Sequence, residues 1–225
     1  MALQIQGNGG TVAEVDGTGF RALRVRNAPL DVGALGHYRL SMATGTIAAA
    51  LAANAELFQF RWTDATRLAA IQKIIVSAGA NVAATAAAAV TLEATIARSF
   101  TVAGTGGNTA TLTGNNQKNR TSMGTTLLGE ARIASTAALG AGTKTLDTQG
   151  IGNITMGIGT GLLTVALNTS LMDRTDLLEQ DGIEQHPVIL AQNEGFVIKN
   201  GAVVWPATMT WGLGVSVVWA EIAAY

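Results

Sequence analysis

A strict alternation near the end of the chain restricts the possible folds more than any other feature of this sequence. From Trp211 to Trp219 every odd-numbered residue is tryptophan, leucine or valine, and the residues between them are glycine, serine and valine. Successive side chains of a β-strand point to opposite faces, so a period of two is typical of a strand. The segment therefore predicts a strand with one face in a core and a small-residue face that another sheet or a neighbouring subunit can approach closely.

The same period recurs upstream. Phe58, Phe60 and Trp62 alternate with Leu57, Gln59 and Arg61, which predicts a sheet with one solvent-facing side. Val90–Ile96 repeats the pattern, and Arg21–Val25 gives a less regular version of it. Further strands are expected at Leu68–Val76, Thr109–Thr113, Ile151–Ile158, Leu162–Leu167, Val188–Leu190 and Phe196–Lys199.

Many short strands separated by glycine- and asparagine-rich turns predict an all-β fold: a jelly-roll-like sandwich of two packed antiparallel sheets. One or two short helices are expected as exceptions. Ile47–Ala53 is rich in alanine and is expected to form a short turn or helix, and Asp173–Gly182 begins with a capping aspartate and ends with a glycine. Ala83–Ala89 fits either a short helix or a loop. Residues 31–225 are predicted to form a single sandwich domain, and residues 1–30 an N-terminal arm or edge segment.

Composition excludes several functions. A net charge of −1 gives no basic surface for nucleic acid. The absence of cysteine excludes thiolate zinc sites, thiol nucleophiles and disulfides, and it agrees with synthesis in a reducing cytoplasm. No stretch is apolar for long enough to predict a membrane-spanning helix, and the first ten residues lack the pattern of a signal peptide.

The residues that usually carry catalysis are scarce. The two histidines, His37 and His186, are far apart in the sequence and are interpreted as loop residues. A set of acidic residues lies between positions 173 and 184, but its spacing does not fit a calcium loop or a glycosidase pair. This set comprises Asp173, Asp176, Glu179, Asp181 and Glu184. It is interpreted as a capped, solvated helix, with contact to a basic patch on a partner as the alternative. We therefore predict no enzyme activity, no cofactor and no metal.

The four tryptophans have two interpretations. Exposed together, Trp62, Trp205, Trp211 and Trp219 would form a sugar-binding platform. Three of them fall on strand faces shared with other apolar residues, which favours a place in the core. Trp205, directly before Pro206, is the candidate for surface exposure.

Only 13% of the residues are charged while 48% are hydrophobic, which predicts that part of the surface is buried in contacts between subunits or with a partner. Near the N-terminus, Arg21, Arg24 and Arg26 stand beside apolar Leu23 and Val25. Such a segment can dock on an acidic partner surface through its arginines. The alternative is an ordinary first strand with three solvated arginines.

Five segments resemble virion structural proteins of tailed bacteriophages. They are Glu56–Asp64, Arg98–Thr101, Thr111–Lys118, Ala191–Ile198 and Trp211–Glu221. Proteins of this class include jelly-roll capsid cement or decoration proteins, head fibres and tail components. The resemblance implies a structural protein on the capsid exterior, made in the host cytoplasm. Its expected partners are the major capsid protein and copies of itself, most simply as a homotrimer. The alternative is a tail or head-fibre component that binds a host receptor.

Overall fold

A computed structural model describes residues 15–16, 22–23, 35–160, 170–179 and 187–223. The regular structure within these ranges is entirely β-strand. The strands are β1 (Val15–Asp16), β2 (Ala22–Leu23), β3 (His37–Ala43), β4 (Glu56–Trp62), β5 (Leu68–Ala80), β6 (Ala88–Val102), β7 (Asn108–Thr109), β8 (Leu128–Ile133), β9 (Thr143–Leu146), β10 (Gly152–Ile158), β11 (Ser170–Glu179), β12 (Val188–Leu190), β13 (Glu194–Asn200) and β14 (Trp211–Ile222). No helix in the described ranges has the length and apolar character that crossing a membrane requires.

The chain divides into two units, Met1–Asp31 and Val32–Tyr225. In the first unit, β1 and β2 pair antiparallel, with Val15 opposite Leu23. This pair contains the described part of the strand expected at Arg21–Val25. The three arginines predicted to contact a partner, Arg21, Arg24 and Arg26, lie outside the described residues, as does the strand expected at Leu162–Leu167.

The second unit is built from two antiparallel sheets. The first sheet has the order β11-β5-β14-β3, with β12 also paired to β5. The second sheet has the order β10-β6-β13-β4-β8-β7, with β9 also paired to β6. Eight strands form nested antiparallel pairs, from the outermost in sequence to the innermost: β3 with β14, β4 with β13, β5 with β11 and β6 with β10. This pairing is that of a jelly roll, so the predicted two-sheet sandwich is confirmed.

The core lies between the two sheets and is rich in aromatic rings. Along β14 the odd-numbered residues from Trp211 to Trp219 are buried, as their alternation predicts. The Trp219 ring stacks on Tyr38 with centroids 5.5 Å apart and meets Phe60 edge-on at 5.3 Å. Phe60 in turn stacks on Phe196 at 5.1 Å. These contacts join both sheets through one aromatic cluster.

The prediction that Trp205 is exposed is wrong. Its ring is buried and stacks on Trp211 with centroids 3.7 Å apart, and its indole N–H donates to Asn200 Oδ1 at 3.0 Å. A proline after a tryptophan indicates a turn, but it does not show whether the turn is folded back onto the core. All four tryptophans are therefore core residues.

Within the described residues, the helix predicted at Asp173–Gly182 is wrong, and Ile47–Ala53, expected as a turn or helix, contains bends and a turn but no helix. Ile47–Ala53 is irregular and pairs with β14 only through a bridge from Ile47 to Trp211. Ser170–Glu179 is strand β11, whose register against β5 shifts three times. Each shift breaks the two-residue alternation, so the acidic residues fall at spacings that resemble a helix. Pairing with β5 decides the conformation, because tertiary contacts override weak local preferences. Ala83–Ala89, left open between helix and loop, holds a bridge at Ala84 and the first two residues of β6.

The prediction of a solvent-facing side on β4 fails as well. A register shift leaves Leu57 as an extra residue between Glu56 and Phe58, and Leu57 and Gln59 are both buried. Such a bulge cannot be read from the alternation of residue types. The strand expected at Thr109–Thr113 is shorter than predicted and is limited to β7. Strands β3, β8 and β9 were not expected from the sequence.

Candidate functional site

The outer face of the first sheet forms an open trough. It contains a cavity of about 740 Å³ lined by β3, β5, β14 and Arg174 of β11. The even-numbered residues of β14 from Gly212 to Val218 face this side, because their odd-numbered neighbours point into the core. We call this outer surface of the first sheet the trough.

Small side chains form one part of the trough floor, which Ile75 and Val218 also line. Gly214 is paired with Ala43 on one side and with Ser77 on the other. Ser216 is paired with Ser41, and their hydroxyl oxygens are 2.7 Å apart. A Cβ added at Gly214 would come within 2.7 Å of Ser77 Oγ, so glycine keeps this row flat. A flat floor lets a backbone or side chain of another molecule approach the sheet closely.

Three charged residues from three strands line the trough: Arg39 of β3, Lys73 of β5 and Arg174 of β11. Arg39 and Arg174 are exposed, and within the described residues neither guanidinium makes an ion pair or a side-chain hydrogen bond. Lys73, by contrast, contacts Glu179 and lies 3.0 Å from Asp176 Oδ2. These two carboxylates hold the pKa of Lys73 above its ordinary value. Arg174 also interacts electrostatically with Asp176. The trough therefore offers two exposed guanidiniums whose hydrogen-bond donors are not used by the described residues, and guanidinium is well suited to bidentate contacts with carboxylates.

The edge of β3 beside the trough is partly covered. The backbone N–H of Arg39 donates to Gln117 at 2.9 Å, and Tyr38 forms a bridge with Lys118. His37, expected in a loop, is the first residue of β3. Its ring nitrogens lie 2.5 Å from Gln72 Oε1 and 3.0 Å from Asn119 Nδ2. His37 thus joins two strands and the covering loop, and its contacts are those of a structural residue.

The outer face of the second sheet is covered by the chain between β6 and β10. The Gln59 amide nitrogen donates to Gly140 O at 2.9 Å, and its oxygen accepts from the backbone N–H of Gly104 at 2.8 Å. Lys144, whose side chain is 2% exposed, lies 2.9 Å from Glu56 Oε2 and 4.8 Å above the Phe100 ring. Because a buried ammonium needs an anionic partner, this pair fastens the covering chain to the sheet.

A buried carboxylate lies at the end of β14. Glu221 is fully buried, and its Oε1 accepts hydrogen bonds from the Thr126 hydroxyl and the Leu127 backbone N–H, both at 2.8 Å. Its Oε2 has no hydrogen-bond donor in the described part of the chain, and the Arg67 guanidinium lies 3.9 Å away. Burial raises the pKa of Glu221 above its ordinary value. Glu221 therefore holds the segment that leads into β8 against the first sheet.

The described residues bring together no group of three His, Asp or Glu side chains that could hold a metal ion. Of the predicted acidic set, Asp176 and Glu179 meet at Lys73, whereas Asp181 and Glu184 lie outside the described ranges. The trough combines hydroxyls and guanidiniums with a flat floor, and these groups are suited to holding a segment of another protein.

Sequence reasoning missed Arg39 and Arg174 as site residues. Arg39 belongs to an alternating run in which Tyr38, Leu40 and Met42 face inward, and this pattern would have placed it outward. Arg174 lay inside a predicted helix, where nothing linked it to the first sheet.

The chain matches no protein-family profile, no curated protein and no solved structure. Support for a function therefore comes from the resemblance of the five sequence segments and from the geometry of the described residues.

Proposed function

We propose that this chain is a structural protein of a tailed-bacteriophage particle, a capsid cement protein that forms oligomers and clamps neighbouring major capsid subunits from outside. The observation that carries the proposal is the trough, a sheet face that no described segment covers, with two exposed arginines beside a row of small side chains. Its support from sequence is the resemblance to virion proteins and the low fraction of charged residues.

The trough supports a protein partner for a physical reason. A flat row of glycine, alanine and serine excludes little volume, so a partner loop or strand can pack against the backbone. Arg39 and Arg174 would orient the bound segment, because a guanidinium forms two parallel hydrogen bonds to a carboxylate. The partner contact we propose is an acidic segment of the major capsid protein. In this proposal the chain is not an enzyme and needs no cofactor.

The test is rebinding to capsids stripped of this protein. Wild type should occupy the capsids, and Arg39→Ser or Arg174→Ser should lower occupancy, more at low salt than at high salt because ions screen exposed charges. Arg120→Ser is the matched control: Arg120 is an exposed arginine outside the trough, and its loss changes the net charge equally. Equal occupancy for all four proteins would reject the trough as the capsid contact.

The same experiment distinguishes the fibre alternative. Labelled wild-type protein is also mixed with host cells and sedimented. Retention on cells together with no occupancy of stripped capsids would replace the cement function with receptor binding by a tail or head fibre.

A further inference from the structure

The described loops at one end of the sandwich contain no charged residue, although the ion-paired Lys199 borders them and donates to Asn54 Oδ1 at 3.1 Å. Five long stretches contain no Asp, Glu, Lys or Arg, and three of them, 40–55, 74–92 and 200–220, supply these loops; the other two are 99–117 and 148–172. The three that supply the loops are far apart in sequence, but each contains a connection between the two sheets, and all three connections lie at one end. Residues 44–55 join β3 to β4, residues 81–87 join β5 to β6, and residues 201–210 join β13 to β14. We call these three loops, together with residues 134–138, the uncharged end.

Backbone and side-chain contacts hold these loops together. The Ala48 N–H donates to Thr136 at 2.9 Å, and the Asn81 N–H donates to Thr210 at 2.8 Å. The hydroxyls of Thr85 and Thr208 are 3.1 Å apart. The uncharged end is therefore one continuous surface of the second unit.

A buried asparagine fixes the most apolar part of this surface. Asn200 is fully buried, and its amide nitrogen donates to the carbonyls of Ala52 at 2.8 Å and Val203 at 2.9 Å. Its oxygen accepts from the Trp205 indole N–H. Three partners for one side chain set the position of Val203 and Val204, so the surface is formed before any partner arrives.

The large apolar side chains exposed on the described residues concentrate here. Val82, Val203 and Val204 are 48%, 48% and 52% exposed, and all three belong to the uncharged end. Exposed alanines of the same loops surround them: Ala48, Ala50, Ala52, Ala86, Ala87, Ala137 and Ala138. Apolar patches without charge are characteristic of the buried centre of protein interfaces.

We infer that the uncharged end is the surface through which copies of this chain meet around a rotation axis. In a symmetric oligomer, each residue near the axis lies close to its own copies, so a charged side chain there meets the same charge. A surface without charges avoids this repulsion. A different protein imposes no such restriction, and the arginines of the trough are the groups suited to it. The inference deepens the proposed function by naming the self-contact surface of the oligomer.

The test places one charge on this surface. Val204→Asp should weaken self-association by about tenfold or more in sedimentation equilibrium, because each copy then brings a carboxylate to the same axis. Val102→Asp is the matched control: Val102 is 55% exposed but lies at the last residue of β6, away from the uncharged end. Circular dichroism and thermal unfolding verify that both variants are folded.

A mixing experiment identifies the occupant. Val204→Lys alone should dissociate the oligomer as Val204→Asp does, and an equimolar mixture of the two should recover association, because opposite charges then meet. Recovery requires that the surfaces of two copies face each other.

The results separate this inference from the proposed function. Dissociation by Val204→Asp in a protein that does not bind capsids would reject the cement function and keep the self-contact. An unchanged oligomer with Val204→Asp overturns the inference, as does equal dissociation by Val102→Asp or a wild-type protein that is monomeric at tens of micromolar. Loss of capsid occupancy in Val204→Asp with an intact oligomer would assign the uncharged end to the capsid partner and overturn the self-contact.

Discussion

The two sheets present outer faces of opposite character. On the second sheet, charged side chains are paired: Arg98 with Asp147 and Glu194, and Lys199 with Glu93 at 2.9 Å. On the first sheet, neither Arg39 nor Arg174 forms an ion pair or side-chain hydrogen bond within the described residues, although Arg174 interacts electrostatically with Asp176. Among the described residues, the ion pairs of the second sheet are formed within its outer face, whereas Arg39 and Arg174 of the first sheet keep their hydrogen-bond donors exposed. The difference predicts that changes on the second sheet alter stability, whereas changes on the first alter binding.

The largest loss of folding stability is expected from substitutions in the core between the two sheets. The effects expected on the two outer faces are smaller. Phe60→Ala or Trp219→Ala should destabilise the fold by about 3–5 kcal/mol, since each ring is fully buried and its removal leaves a cavity. Urea denaturation measures the loss. A denaturation midpoint equal to that of wild type would mean that these rings do not join the two sheets.

A substitution on the outer face of the second sheet should lower the free energy of unfolding almost as much. Lys144→Met should cost about 3 kcal/mol, because it leaves the Glu56 carboxylate buried without its cation. Adding Glu56→Gln should recover part of the loss, since no unpaired charge then remains. If Lys144→Met is neutral in urea denaturation, the covering chain is not fastened by this pair.

A smaller effect is expected where the covering chain meets the first sheet. The raised pKa of Glu221 means that the folded state holds this proton more tightly than the unfolded state, so stability falls as the pH rises from the ordinary value through the raised one. Glu221→Gln keeps the shape without the charge and should remove this fall. At neutral pH it should stabilise by on the order of 1 kcal/mol, and in acid the two proteins should match.

Urea midpoints across the acid-to-neutral range provide the measurement. Arg67, whose side chain is 37% exposed and 3.9 Å from Glu221, offers little compensation to the charged form. A variant less stable than wild type at neutral pH would show that the ion pair with Arg67 outweighs burial.

The smallest effect on stability is expected on the trough. The double substitution of Arg39 and Arg174 by serine should change the free energy of unfolding by less than about 0.5 kcal/mol, because both side chains are exposed and the interaction of Arg174 with the exposed Asp176 is screened by solvent. Thermal unfolding measures this. A clear destabilisation would remove the distinction between the two faces, since the arginines would then belong to the fold.

Much of the architecture could be predicted from periodicity alone. The alternation along β14 and around Phe58–Trp62 correctly placed the aromatic core, because the two-residue period of a strand is set locally. The same reasoning failed for Asp173–Gly182, where register shifts against β5 give polar residues a helix-like spacing. It also failed at Leu57, the extra residue of a bulge.

The candidate sites were predicted less well than the fold. Low charge and small-residue strand faces indicated surfaces for contact, but not which residues form them. Arg39 and Arg174 come from distant strands that meet only when β14 and β5 pair in between. The uncharged end likewise combines stretches separated by most of the chain. No window of sequence shows such neighbours, because the pairing of distant strands brings them together.

By itself, the sequence determined that this chain forms strands with a buried aromatic face, since alternation and turn residues act over a few neighbours. Only the tertiary structure decided which faces stay open. Trp205 is buried because its ring stacks on Trp211 and its indole N–H donates to Asn200. Gln59 is buried because the loops that contain Gly104 and Gly140 pack on it and hydrogen-bond its side-chain amide. The first sheet keeps its trough because no described segment covers it. Coverage depends on where distant parts of the chain come to lie, and strand pairing across the whole domain sets those positions.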